Sequence, residues 1–173
     1  MNSPIADPSV ARLFVGLWPD AEVRDAVLAC AARWTWPSGA RRVPWPKLHA
    51  TLHFLGAVPR ERVAGLVQGL AVPFEPFSLQ LDQAEVWPNE VAVLRPVQVP
   101  HELKSLHLRL RIALMQLDQP TARDKLVPHV TLARRAGGAR APAEPPSIRW
   151  AVGGYALIES MPSSAYRVLQ DYP

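Results

Sequence analysis

The chain has a single cysteine, Cys30, in 173 residues. An internal disulfide is therefore excluded and a cysteine-built zinc site is disfavoured. A reducing cytoplasm is the expected setting. Long apolar runs are also missing, so no segment reads as a bilayer span and no membrane partner is expected. Met1–Val10 lacks the charged start and apolar core of a signal peptide. Lysine is scarce, with three residues against sixteen arginines, and the formal net charge is +4. That bias suits a phosphate-bearing partner. A GC-rich genome favours arginine codons as well, so charge alone decides nothing. No Gly-x-Ser-x-Gly elbow marks a serine nucleophile. The length allows one substantial domain or two small lobes on a shared core.

Threonine is rare too, and its placement is informative. Of Thr35, Thr51, Thr121 and Thr131, two stand two residues after a histidine and directly before a leucine. The segments are His49-Ala50-Thr51-Leu52 and His129-Val130-Thr131-Leu132. Each lies in a short run of aliphatic and β-branched residues bounded by Pro or Gly, which predicts a strand. Side chains alternate along a strand, so His49 shares a face with Thr51, and His129 with Thr131. Ala50, Leu52, Val130 and Leu132 then turn to a core. Two such strands face to face bring two imidazoles and two hydroxyls together with rough twofold symmetry. That set suits displacement at phosphorus without a metal. One histidine takes a proton from the nucleophile and the other gives one to the leaving oxygen. The hydroxyls donate to the non-bridging oxygens, where negative charge collects.

In chain order, residues 1–10 are expected as a flexible tail and 11–173 as a single domain. A first strand is predicted over 12–18, ended by Pro19. Asp20 is the expected N-cap of a helix over 21–34, and 35–46 reads as a loop holding Arg41 and Arg42. The first motif strand is expected over 48–55. Pro59 opens a second helix with Val63, Leu66, Val67 and Leu70 inward. Strands over 77–82 and 91–97 read as hairpin partners across Pro88-Asn89. Pro100 opens the longest helix, about 100–118, with Leu103, Leu106, Leu110, Leu114 and Leu117 inward. After a loop over 120–125 comes the second motif strand, 127–134. Residues 137–146 read as a surface loop, and 150–158 and 166–169 as closing strands.

The residues now support a family resemblance. Arg12-Leu13-Phe14-Val15-Gly16-Leu17-Trp18-Pro19 resembles the opening strand of the two-histidine (2H) phosphoesterases, specifically the RNA 2′,3′-cyclic phosphodiesterases, also called 2′-5′ RNA ligases. Val43-Pro44 through Leu48-His49, Phe54-Leu55-Gly56, Pro128 through Arg134, and Ser160 through Leu169 with Tyr166 extend the likeness over most of the chain. The resemblance implies a bilobal α+β fold, with two antiparallel β-sheets facing a central cleft, helices outside and pseudo-twofold symmetry. It makes His49 and His129 the catalytic pair and Thr51 and Thr131 phosphate donors. One histidine protonates the leaving 3′ oxygen and the other activates water, leaving a 2′-phosphate; His49 is taken as the acid and His129 as the base. No metal or other cofactor is implied. The implied partner is RNA with a 2′,3′-cyclic phosphate end, or a cyclic nucleotide, and no obligate protein partner is evident. The reverse reaction, joining a cyclic-phosphate end to a 5′-hydroxyl, also belongs to the family. Two departures stand out: Trp87-Pro88 in place of Phe-Pro, and Ser164 near the end in place of glycine.

Other residues carry two readings each. Arg134 ends the second motif strand and is read as a substrate contact through its planar fork. Phe14 either stacks a base at the cleft or packs in the core. His53, by alternation, shares the face of His49 and Thr51; it is read as a surface or supporting residue rather than a catalytic one. His101 and His107 read as a solvated helix face beside Lys104, Arg109 and Arg111, with a grip on RNA as the second reading. His49-x-x-x-His53 on a strand, with no glutamate between, is not the helical zinc-protease pattern. Two further functional readings stay open: a non-catalytic nucleotide or RNA-end binding module of the same fold, and a phosphodiesterase for another small cyclic phosphate.

Overall fold

The structure, a computed structural model, describes residues 7–119, 121, 125–163 and 165–173. Ser164 and most of the loop expected over 120–125 lie outside these residues. Asp7 accepts hydrogen bonds from the Ser9 amide and hydroxyl, and strand β1 (Val10–Leu17) begins at once, inside the stretch read as tail.

Helix α1 (Ala21–Ala32) starts where Asp20 caps it, the Val23 amide donating to the Asp20 carboxylate at 2.9 Å. Strands β2 (Arg41–Arg42) and β3 (Ala50–Pro59) follow, then helix α2 (Arg60–Gly69) directly after Pro59. The chain continues through β4 (Phe77–Leu81), β5 (Gln83–Val86) and β6 (Ala92–Arg95). Helix α3 (His101–Gln116) starts behind Pro100 and buries Leu103, Leu106, Leu110 and Leu114. Each of these leucines contributes about 1.5–3 kcal/mol by leaving water. Strands β7 (Val130–Arg134), β8 (Ile148–Val152), β9 (Tyr155–Ser160) and β10 (Tyr166–Tyr172) complete the chain.

Among the described residues every strand pairing is antiparallel. One half orders as β10-β9-β1-β3 and the other as β7-β6-β5, with β4 and β8 forming a separate pair. The two halves meet at a single residue pair, Ala50 opposite Val130. Both motif strands therefore lie at the inner edges of their halves. The helices lie outside: α2 and α3 against β3, and α1 against β8.

Three expectations need correction. The partner of β4 is β8, and the hairpin is β5 with β6 across Trp87–Glu90. The chain changes sheet at Asp82, whose carboxylate accepts from the Val97 amide at 2.7 Å. Residues 150–158 are not one strand, because Gly153 and Gly154 separate β8 from β9. A Cβ on Gly154 would lie 2.5 Å from the Tyr172 carbonyl oxygen, so the chain turns where only glycine fits against the end of β10. Arg41 and Arg42 are strand rather than loop, paired to β7.

Candidate active site

The junction sets the geometry of the site. Continuing the Ala50–Val130 register by one residue either way puts His49 opposite Thr131 and Thr51 opposite His129. Each strand then departs from strict alternation in the same way. The register of β3 against β1 skips Leu52, and the register of β7 against β6 skips Leu132. An extra residue in one strand reverses the facing of everything beyond it. Thr51 and Phe54 therefore share the cleft face of β3, and Thr131 and Arg134 share that of β7. His53 and Ala133 turn into the protein instead, at 5% and 0% exposure.

Both histidines are anchored through the same ring atom. His49 Nδ1 lies 2.6 Å from the Lys47 carbonyl oxygen, and His129 Nδ1 lies 2.7 Å from that of Val127. A carbonyl only accepts, so each Nδ1 carries a proton and donates it. Each Nε2 is left as the atom that gains or loses a proton at the cleft. His49 Nε2 is 3.0 Å from the Thr51 hydroxyl. Aromatic rings hold the imidazoles in place. Phe14 packs on His49 with centroids 4.7 Å apart, Tyr166 meets its edge at 5.3 Å, and Trp18 stacks behind at 6.2 Å. Among the described residues Trp87 is the one ring that meets His129, edge-on at 4.5 Å. The Trp87 indole N–H donates to Glu85 at 2.6 Å, and Arg95 pairs with the same carboxylate.

Burial pushes both histidines below their ordinary pKa, because the charged ring is less well hydrated. The carbonyl at each Nδ1 pulls upward, since it favours the protonated ring. The Arg134 charge lowers both, and the His129 charge also lowers His49.

The cleft between the histidines has a volume of about 480 Å³. Among the described residues its walls carry Arg12, Arg41, Arg42, Lys47 and Arg134, and no carboxylate. It is built to receive negative charge. Among the described residues no cluster of three His, Cys, Asp or Glu side chains forms a metal-ligand set.

The expected site residues distribute as follows. His49, Thr51, His129, Thr131 and Arg134 all line this one cleft. Phe14 reaches its wall but is only 4% exposed, packed with Ala156 and Ile158 behind the His49 ring. Of its two readings, packing is the one its surroundings favour. The aromatic ring that stands free at the cleft is Phe54, 51% exposed, with the Arg12 guanidinium over its face at 5.3 Å. Phe54 was missed because alternation places it on the core side. The signal was present: His49-x-Thr51-x-x-Phe54 repeats the spacing of His129-x-Thr131-x-x-Arg134. His53 leaves the cleft for the α3 interface, where its ring stacks on His107 at 4.1 Å and its Nε2 meets the His107 carbonyl at 3.0 Å. His107 is accordingly half-buried rather than solvated, while His101 is exposed beside Glu102.

Fold and site together define a class of proteins that present two His-x-Thr strands at one central cleft. Residues 20–160 match the family model of the 2′-5′ RNA ligase superfamily, and the chain belongs to that family. It is 32% identical over 151 residues to an Escherichia coli protein named RNA 2′,3′-cyclic phosphodiesterase, covering 86% of this chain and 83% of that one. An Archaeoglobus fulgidus protein of the same name is 34% identical over 79 residues, 45% of each chain. Among solved structures, E. coli LigT complexed with 3′-AMP superposes with a TM-score of 0.82 at 28% identity, covering 94% of this chain and 97% of that one.

Proposed function

We propose that the protein is a metal-independent RNA 2′,3′-cyclic phosphodiesterase, opening cyclic phosphate ends of RNA or nucleotides to 2′-phosphates. The observation that carries this reading is the twin anchoring: two imidazoles, each locked by a carbonyl at Nδ1, with both Nε2 atoms left for one arginine-lined cleft. The names of the curated relatives and the 3′-AMP held by the E. coli structure support the same substrate class.

The asymmetry between the histidines supports a division of roles. His129 Nε2, with no Thr131 contact, takes a proton from water as that water attacks phosphorus. The P–O3′ bond breaks, and protonated His49 gives its Nε2 proton to the leaving O3′. When His49 is charged, its Nε2–H donates to the Thr51 oxygen, and the Thr51 hydroxyl proton is free to turn to a non-bridging phosphate oxygen. Thr131 serves the opposite oxygen, and Arg134 adds a charge-assisted fork. Phe14 holds His49 rather than the base. With a 5′-hydroxyl in place of water, the same pair and the same P–O3′ cleavage form a 2′-5′ linkage. No helix among the described residues is long and apolar enough to cross a membrane. With one cysteine in the chain, we place the enzyme in the cytoplasm, working without an obligate protein partner.

The test is the product of 2′,3′-cyclic AMP hydrolysis with excess chelator, read by phosphorus NMR. A 2′-phosphate supports this reading. A 3′-phosphate overturns the assignment of O3′ as the leaving oxygen. No turnover of the mononucleotide or of short cyclic-ended RNA points to a binding module or to another cyclic phosphate.

A further inference from the structure

The cleft holds more positive charge than one cyclic phosphate needs. A cyclic phosphodiester carries a single negative charge, and the paired threonines with Arg134 already face it. Arg41 and Arg42 stand on β2 beside Arg134 and line the same cleft. Arg41 is paired directly opposite Arg134 across the β2–β7 ladder. Directly opposed residues of an antiparallel pair share a face, and like charges set there destabilise the sheet. Among the described residues neither Arg41, Arg42 nor Arg134 has a carboxylate partner. Other arginines of this chain do have one, among them Arg60 and Arg167 on Glu159 and Arg95 on Glu85. The opposed guanidinium groups are thus an uncompensated charge pair at the mouth of the site.

The backbone holds them there. The Val43 amide donates to the Leu132 carbonyl at 2.7 Å, which ties the residue after Arg42 to the bulge of β7. Arg134 lies three residues past Thr131, roughly 7–10 Å along the strand. Arg41 and Arg42 therefore flank the path out of the catalytic position, beside Arg134 and away from the Phe54 rim.

Building on the function proposed above, we infer that Arg41 and Arg42 form a second phosphate subsite beside Arg134. Its ligand is a further phosphate on the same substrate molecule. That phosphate comes either from the internucleotide link of an RNA strand or from a terminal 5′-phosphate of a nucleotide. Planar guanidinium forks suit such an oxyanion.

The experiment compares kcat/KM for three probes: 2′,3′-cyclic AMP, the dinucleotide ApA with a 2′,3′-cyclic end, and 5′-phosphorylated 2′,3′-cyclic AMP. The wild-type enzyme is expected to favour at least one second-phosphate probe about tenfold or more over cyclic AMP. Preference for the dinucleotide identifies a strand phosphate, and preference for the 5′-phosphorylated probe identifies a terminal one. In R41A/R42A the ratio to cyclic AMP, measured on the same variant, is expected to fall toward one. The conservative R41K/R42K variant, which keeps charge without the fork, is expected in between. The wild-type ratio is also expected to shrink as salt rises. Equal kcat/KM on all three probes in the wild-type enzyme overturns the subsite, as does a ratio unchanged by R41A/R42A. Turnover of none of the probes overturns the proposed function instead, so the two failures are distinguishable.

Discussion

The stacked pair His53–His107 makes the stability of this protein sensitive to mild acid, and the size of the effect follows from its surroundings. His53 is buried at 5% exposure and donates its Nε2–H to the His107 carbonyl. The His107 ring lies on it at 4.1 Å. A proton on His107 must therefore sit in a poorly hydrated place, beside a second imidazole and the Arg111 charge, and its pKa falls from 6.5 to about 4. The unfolded chain binds that proton more readily than the folded one. The contribution to stability is thus fully present above pH 6.5 and is lost as pH falls toward 4. At pH 5 the fully shielded loss would be about 2 kcal/mol. The His107 ring is partly open to water, which reduces this to about 1–1.5 kcal/mol. In a domain of this size that lowers Tm by about 3–5 °C between pH 7 and pH 5. His107→Phe keeps a ring on His53 and removes the titration. Thermal melts of both proteins across pH 7 to 4.5 test the reasoning: the variant should lose at least half of the wild-type decline. The remainder belongs to His53, His49 and His129, whose pKa values burial also lowers. Parallel curves for the two proteins would refute it.

Burial lowers both cleft histidines, so the bell-shaped profile of kcat/KM should peak on the acid side of pH 6.5; a maximum above pH 8 would contradict the anchoring described. Trp87→Ala removes the indole ring against His129 and should reduce kcat about tenfold or more with little change in KM, by loosening the proposed base. A steady-state comparison that finds kcat intact would make the indole ornamental. Glu159, 1% exposed, holds Arg60 and Arg167 at 2.8 and 2.6 Å. Glu159→Ala should lower unfolding stability by about 2 kcal/mol in urea, less than the roughly 3–5 kcal/mol for breaking a fully buried pair, because both guanidinium groups reach water.

Much of this was legible in the residues. Periodicity and capping found the three helices, as Asp20 and the two prolines before α2 and α3 show, and the doubled His-x-Thr found the inner strands of both halves. Strand pairing was less legible. The kink at Asp82 that sends β4 to β8 and β5 to β6 has no local signature beyond one aspartate, since it depends on a sheet partner nearly seventy residues away. The bulges at Leu52 and Leu132 were the costliest omission. Alternation carries His53 into the cleft and Phe54 out of it, and a single extra residue reverses both. An apolar residue at a bulge looks like any other core leucine. The repeat extended to its sixth residue, Phe54 against Arg134, was the available clue. Arg41 and Arg42 could not be placed because a two-residue edge strand is too short to leave a pattern.

The central claim is that His49 and His129 act as one acid–base pair through their Nε2 atoms. The most direct measurement is single-turnover hydrolysis of 2′,3′-cyclic AMP by His49→Ala and by His129→Ala, each checked for unchanged circular dichroism. Each variant is expected to lose at least about a hundredfold in rate. Near-normal turnover by either folded variant would contradict it.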